Sequence, residues 1–322
     1  MMMVLRLKCR WLYTISNQDM SVARATRCLL TLSKKPDLAH LVHSFSFNTS
    51  LSPYFLQAFL ILLSRALSNM NNLRVLSLEL DVPIIISPLD RVFCRLTKFT
   101  CILTLEGSFP LSQFLLNQPT IEELYIICQS DDLSALEPGA LPALKDLTAP
   151  LQLLPKLLAY RLPCLSRLCV LDTLYNWTNF LLLAAVLVIS LPPESIELAI
   201  RVEIDPTVTG TAGILFGLGR LGRACPYITS LRLDTYGDFL GQEELHNMFA
   251  PALSNFPNLE KSMITSQSAT SDEYIRNSAQ IQPALTPSGV DPSFHSVLEF
   301  ASDTLSDFIS DVLPALSAPP VP

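Results

Sequence analysis

A short pattern of apolar positions recurs through the middle of the chain: apolar, two variable residues, apolar, one variable residue, apolar. The alternation at its end predicts a short strand whose apolar side chains share one face. The segment 195–204, SIELAIRVEI, keeps strict alternation without the full spacing and is a degenerate copy. The other copies begin at VHSFSF and end at LEKSMI, and they occupy residues 42–47, 73–78, 96–101, 121–126, 144–149, 165–170, 228–233 and 259–264.

The segments between these strands have helical periodicity. In residues 52–70, Ser52 and Pro53 form a favourable helix start, and apolar residues such as Phe59 and Leu63 recur on one side. Residues 112–118, 178–190 and 242–256 are expected to form further helices.

The spacing of the copies predicts the architecture. The first six copies start 31, 23, 25, 23 and 21 residues apart, and leucine-rich repeats have a period of about 20 to 29 residues. A single strand–helix unit buries too little apolar surface to offset its ordering entropy, so each unit has to stack on its neighbours. We therefore expect an α/β fold, an irregular leucine-rich-repeat-like solenoid with a parallel inner sheet and outer helices.

Four regions follow from these patterns. Residues 1–35 are an N-terminal helical segment, 36–264 the solenoid, 265–290 a flexible linker rich in polar residues, and 291–322 an acidic amphipathic helix and tail. The acidic helix has two interpretations, a cap on the last repeat or a docking element for a partner.

Composition and charge restrict the function. The chain has 22 basic and 29 acidic residues, a net charge of −7, which argues against a nucleic-acid partner because such binding needs many cations. The longest apolar run, residues 180–189, is far shorter than the roughly 20 residues that cross a bilayer, so a buried helix and no membrane partner are expected. Charges at Arg6, Lys8 and Arg10 interrupt any secretory signal.

These features predict a cytoplasmic or nuclear protein. Its eight cysteines should then be reduced thiols that pack as small hydrophobic residues.

No strong catalytic, cofactor or metal motif is present, so we do not expect an enzyme or a bound cofactor. Residues Gly217 to Gly222 match G-x-G-x-x-G, but a strand follows this match instead of preceding it, whereas a dinucleotide site needs the strand first. Close helix packing is the favoured interpretation of these glycines, and a nucleotide-binding enzyme is a remote alternative.

The outward strand positions are the candidate surface for a protein partner. Tyrosine and arginine are the expected anchors because they bury a large area while keeping polar ends. Any one of these positions could equally be ordinary solvated surface. The partner-binding candidates are Arg74, Lys98, Glu123, Tyr125, Asp146, Arg167, Arg232 and Asp234, with His43 and Glu79 at equivalent offsets.

Four segments carry a family resemblance. They are CLLTLSKKPDLAHLVHSFSF (28–47), NMNNLRVLSLEL (69–80), FLLNQPTIEELYI (114–126) and LPALKDLTAPLQLLPKLL (141–158). It resembles the repeat region of fungal F-box and leucine-rich-repeat-like proteins, which are abundant in mushroom-forming fungi. The resemblance covers roughly residues 12–262.

In that family the F-box docks on the adaptor of a cullin-based ubiquitin ligase and the repeats present a surface to the target. The resemblance therefore implies a protein-binding scaffold with an unidentified protein target. The first 35 residues contain no recognisable F-box, and the alternative is a truncated family product that assembles no ligase.

Overall fold

A computed structural model describes residues 14–16, 22–49, 53–80, 89–103, 111–204, 208–236 and 241–267. Within these ranges the recurring sequence pattern is confirmed as strands, because each copy contains the start of one. The ten strands are β1 (Thr14–Ser16), β2 (Ser44–Thr49), β3 (Val75–Leu80), β4 (Lys98–Leu103), β5 (Glu123–Ile127), β6 (Asp146–Ala149), β7 (Arg167–Leu174), β8 (Ile196–Glu203), β9 (Ile228–Tyr236) and β10 (Lys261–Gln267).

Helices occupy most of the segments between the strands, as their periodicity predicts. Short 3₁₀ turns lie at Ser130–Leu133, Leu151–Leu153 and Leu162–Cys164. The α-helices are α1 (Val22–Lys34), α2 (Pro36–Ala39), α3 (Pro53–Asn69), α4 (Leu111–Leu116), α5 (Leu154–Leu158), α6 (Trp177–Ile189), α7 (Val208–Ala224) and α8 (Gln242–Leu253).

The ten described strands form one sheet whose spatial order follows the sequence from β1 to β10. All nine neighbouring pairs are parallel. A parallel neighbour requires the chain to return to the same edge of the sheet before each new strand, and the intervening helices and loops provide that return. The structure is thus a mixed α/β fold built on a parallel sheet.

The strands are joined at their amino ends by one repeated hydrogen-bond arrangement. The N–H groups of Arg74 and Val75 both donate to the carbonyl oxygen of His43, at 2.9 and 3.1 Å. The same two-to-one arrangement recurs at each later turn as far as β7, with the carbonyl oxygens of residues 74, 97, 122 and 145 as acceptors. These acceptors have the same spacing along the chain as the copies of the sequence pattern. Repeats of different length therefore differ in the segments between the strands, and the register of the strands stays the same.

One face of the sheet packs against the helices. Alternate strand residues such as Leu76, Leu78 and Phe99 are fully buried, and they join apolar helix residues in one cluster that extends from Ala25 to Ile264. The α1 helix belongs to this cluster. The Asn69 side chain of α3 also donates to two carbonyl oxygens at the end of α1, those of Leu32 and Ser33, at 3.0 and 3.1 Å.

The prediction of a buried helix over residues 180–189 was wrong for its carboxyl end. Phe180, Leu183 and Leu187 of α6 are buried, but Val188 and Ile189 are 37% and 77% exposed. The helix lies on the surface with one face in the core. Among the described residues, no helix is both long enough and apolar enough to span a membrane.

The seven cysteines among the described residues fall into three groups, and Cys9 lies outside the described residues. Cys94, Cys101, Cys128 and Cys225 are buried free thiols, which confirms the prediction for them. The packing prediction was wrong for Cys164, a free thiol that is exposed at the end of the 3₁₀ turn Leu162–Cys164, and Cys28 and Cys169 are partly buried. Two predicted regions were wrong in part, because the N-terminal helical segment 1–35 contains the strand β1 and residues 265–267 of the predicted linker 265–290 belong to β10. The rest of the linker and the predicted acidic helix at 291–322 lie outside the described residues.

Candidate functional site

The face of the sheet opposite the helices is the candidate site, and we call it the open face. It consists of the strand residues that alternate with the buried ones, as in β3, where residues 75, 77 and 79 are partly exposed and 76, 78 and 80 buried. Because the strands are in register, the open-face side chains lie in rows that cross the sheet.

The first row carries most of the predicted charged residues. Lys98, Glu123, Asp146 and Arg167 are consecutive register partners across β4 to β7. The row continues through Glu197, Ser230 and Lys261.

Ion pairs link neighbours in this row. Lys98 Nζ lies 2.6 Å from Glu123 Oε2, and Arg167 Nη2 lies 3.0 Å from Glu197 Oε1. All four side chains remain about half exposed, and such pairs stabilise a protein by about 0 to 1 kcal/mol. They orient the side chains more than they stabilise the sheet.

The second row is mostly small and polar, and its large members are Tyr125, Arg232 and Met263. It comprises Ser77, Thr100, Tyr125, Thr148, Cys169, Ala199, Arg232 and Met263. Burial raises the pKa of Tyr125, and the charge of Arg201 acts in the opposite direction. The phenol is therefore protonated at neutral pH and available as a hydrogen-bond donor.

The third row carries charge at both ends, with two isoleucines between them. Glu79 on β3 is the register partner of Ile102 on β4, which neighbours Ile127 on β5, and both isoleucines are partly buried. Arg201 and Asp234 are register partners on β8 and β9. Asp234 Oδ1 accepts from Arg232 Nε at 2.9 Å and also from the hydroxyl of Thr265.

Most of the predicted partner-binding residues therefore lie together on the open face. Seven of them occupy its rows: Lys98, Glu123, Tyr125, Asp146, Arg167, Arg232 and Asp234. Arg74 is the exception, because it lies just before β3 at the amino edge of the sheet. His43 lies at the same edge, and its ring nitrogen Nδ1 is 3.0 Å from the Asn72 carbonyl oxygen.

Four residues of the open face were not predicted from the sequence: Ile102, Ile127, Cys169 and Arg201. Alternation would have placed Arg201, because its neighbours Ile200 and Val202 are buried and Arg201 between them is partly exposed. In the degenerate copy at 195–204, the outward positions do not follow the offset that holds in the other copies.

The chemistry of the open face suits recognition. Burial raises the pKa of the Cys169 thiol, and the Arg201 charge opposes this, so no activated thiolate forms at neutral pH. Within the described ranges, no three His, Cys, Asp or Glu side chains are grouped to hold a metal ion. The face offers paired charges, hydroxyl groups, an aromatic ring and two isoleucines.

The glycine motif has a packing role. Its glycines lie inside α7, and not at a strand-to-helix turn. A Cβ at Gly217 would lie 2.9 Å from Phe180 Cβ, and a Cβ at Gly222 would lie 2.5 Å from Phe256 Cδ2. The glycines allow close approach of neighbouring elements, as the favoured interpretation predicted.

The chain was also compared with known proteins. It matches no protein-family model and no curated protein.

Proposed function

We propose that this protein is a protein-binding scaffold and that its target binds on the open face. The observation that carries the proposal is the ordered display of Tyr125, Arg167 and Arg232 on a sheet face that the described helices leave uncovered. Tyrosine and arginine are the side chains most often found at the centre of protein interfaces.

We further propose that the fold is an irregular leucine-rich-repeat-like solenoid. The sequence order of the strands supports it, as do the parallel pairing and the repeated hydrogen bonds at the amino edge. Solenoids commonly bind partners over an extended sheet surface.

The family resemblance suggests a more specific role in the same proposal. The open face would act like the substrate-recognition repeats of F-box ubiquitin-ligase adaptors, in the cytoplasm or nucleus, and without nucleic acid or membrane as a partner. A cullin-ligase adaptor is then a second candidate partner. The competing proposal is a truncated family product that keeps the fold and joins no ligase.

Affinity capture of the full chain tests the scaffold proposal. Tyr125→Ala combined with Arg167→Ala should abolish the recovery of specific partners, because it removes two anchors from the open face. Quantitative mass spectrometry compares this variant with the unmodified chain in the same extract, and circular dichroism checks that both are folded.

The matched control changes the same residue types elsewhere. Tyr160 and Arg65 are both exposed and lie outside the rows of the open face, so Tyr160→Ala with Arg65→Ala should leave capture unchanged. Equal capture by both double variants would reject the open face as the binding surface. Recovery of cullin-ligase subunits would favour the adaptor role over the truncated product.

A further inference from the structure

Arg201 differs from the other arginines on the open face in its surroundings. It is partly buried in β8, and its register partners are Thr173 on β7 and Asp234 on β9. Arg167 and Arg232 each contact a carboxylate, at 3.0 and 2.9 Å. Across the described part of the chain, the Arg201 guanidinium makes no ion pair and no hydrogen bond.

The carboxylates near Arg201 have other partners. Asp234 Oδ1 accepts from both Arg232 and Thr265. Asp172 Oδ2 accepts from the backbone N–H of Leu151, and burial raises the pKa of Asp172 while the Arg201 charge opposes this. Arg201 is thus the cation of this region whose hydrogen-bond donors are still available.

Neutral side chains lie between Arg201 and the isoleucines Ile102 and Ile127. Thr148 and Cys169 lie in the row between Tyr125 on β5 and the later strands. The charge of Arg201 opposes the rise in pKa of both Tyr125 and Cys169, so both side chains lie within electrostatic range of the guanidinium. Beyond Tyr125, Ile102 and Ile127 provide an apolar contact area.

We propose that Arg201 binds a carboxylate from an acidic segment of a protein partner, while an apolar side chain of that segment packs on Tyr125, Ile102 and Ile127. This inference rests on the proposed scaffold function. Guanidinium and carboxylate groups form two parallel hydrogen bonds, a geometry that lysine cannot match. The site has one available cation and carboxylates close by, so a singly charged carboxylate fits better than a doubly charged phosphate.

The register sets the spacing between the two contacts. Tyr125 and Arg201 are three strands apart, which corresponds to about 14 Å at the usual strand separation. An extended peptide advances about 3.4 Å per residue, so it covers this distance in about four residues. A ligand that crosses the strands should carry its apolar and acidic residues about four positions apart.

A synthetic peptide array tests the proposal without a known partner. Each peptide carries one leucine and one glutamate, separated by one to eight positions in a Gly/Ser background. A second array replaces the glutamate with glutamine, and a third replaces it with phosphoserine. The full chain should bind best near a spacing of four. The glutamine peptides should bind about 10- to 100-fold more weakly, the usual loss for a charged hydrogen-bonded contact.

Variants then assign the contact to Arg201. Arg201→Gln should reduce binding by a similar factor and Arg201→Lys by less, whereas Arg65→Gln, which changes an exposed arginine on α3, should have no effect. If Arg201→Gln fails to fold, the comparison of glutamate with glutamine peptides and the Arg201→Lys variant still show whether Arg201 binds the carboxylate. Absent binding, equal binding of glutamate and glutamine peptides, or tighter binding of phosphoserine peptides would each overturn the proposal.

The scaffold proposal and the Arg201 proposal can fail separately. If the arrays show no carboxylate preference but the Tyr125/Arg167 variant still loses its captured partners, the open face binds proteins by another chemistry. If neither experiment shows an effect, both proposals fail.

Discussion

Replacing Gly222 with alanine tests how closely α7 approaches the segment after α8. The new Cβ would lie 2.5, 2.7 and 2.8 Å from three ring atoms of Phe256, whose side chain is buried. Overpacking of this kind costs about 1 to 3 kcal/mol. Alanine regains about 1 kcal/mol through its higher helix propensity, so Gly222→Ala should lower the free energy of unfolding by about 1 kcal/mol.

Gly213 supplies a matched control in the same helix. A Cβ there would lie 3.9 Å from the nearest atom, in the Trp177 side chain, which is ordinary van der Waals contact. Gly213→Ala therefore keeps the propensity gain and should stabilise the protein by about 0.5 to 1 kcal/mol. The two substitutions are chemically identical, and only the neighbouring atoms give them opposite signs.

Urea denaturation of the full chain, followed by circular dichroism, measures both effects. The midpoint should fall for Gly222→Ala and rise for Gly213→Ala with similar slopes. Adding Phe256→Leu should remove much of the Gly222→Ala penalty, and a double-mutant cycle measures that coupling. Equal stabilisation by both alanines, or no coupling to Phe256, would refute the close approach.

Two further predictions concern buried groups. Arg161 is 3% exposed and donates to the carbonyl oxygens of Glu137, Ala140 and Leu157 at 2.6, 2.8 and 3.1 Å. Arg161→Met should lower the free energy of unfolding by about 2 to 3 kcal/mol in urea titrations, and a loss below about 0.5 kcal/mol, typical of a surface site, would contradict this role. Burial raises the pKa of Cys94 and Cys225 to about 11, so the folded state disfavours their thiolates. The stability gained by burying these two thiols in the protonated form should be complete below the unfolded thiol pKa of about 8.5 and lost as the pH rises towards 11. As the pH rises over this range, the urea midpoint of a Cys94→Ala/Cys225→Ala variant should fall less steeply than that of the unmodified protein. The same pH dependence in both proteins would contradict the burial argument.

Local alternation made the strands predictable from the sequence. Leu76, Leu78 and Leu80 alternate with partly exposed residues over a whole strand, and only one face of a sheet can bury such a set. Equivalent positions of successive copies also became register partners, so residues 25 positions apart, such as Lys98 and Glu123, meet in an ion pair.

Other features depend on contacts that no local pattern encodes. The α6 helix is apolar on all sides, so its periodicity could not show which face is exposed. The guanidinium of Arg161 is buried where carbonyl oxygens of Glu137 and Ala140 and of Leu157 in α5 converge on it, and that convergence arises only in three dimensions. Arg201 was missed for a different reason, because the degenerate copy that contains it was not assigned an outward face.

Distances along the first row of the open face test the central claim, that the strands stack in sequence order. A spin label at Lys98 is paired in turn with a label at Arg167, Glu197, Ser230 or Lys261, the register positions on β7, β8, β9 and β10. Double electron–electron resonance should show separations that increase at every step, by up to about 5 Å per strand. A distance from Lys98 to Lys261 that is shorter than the distance from Lys98 to Glu197 would contradict the account.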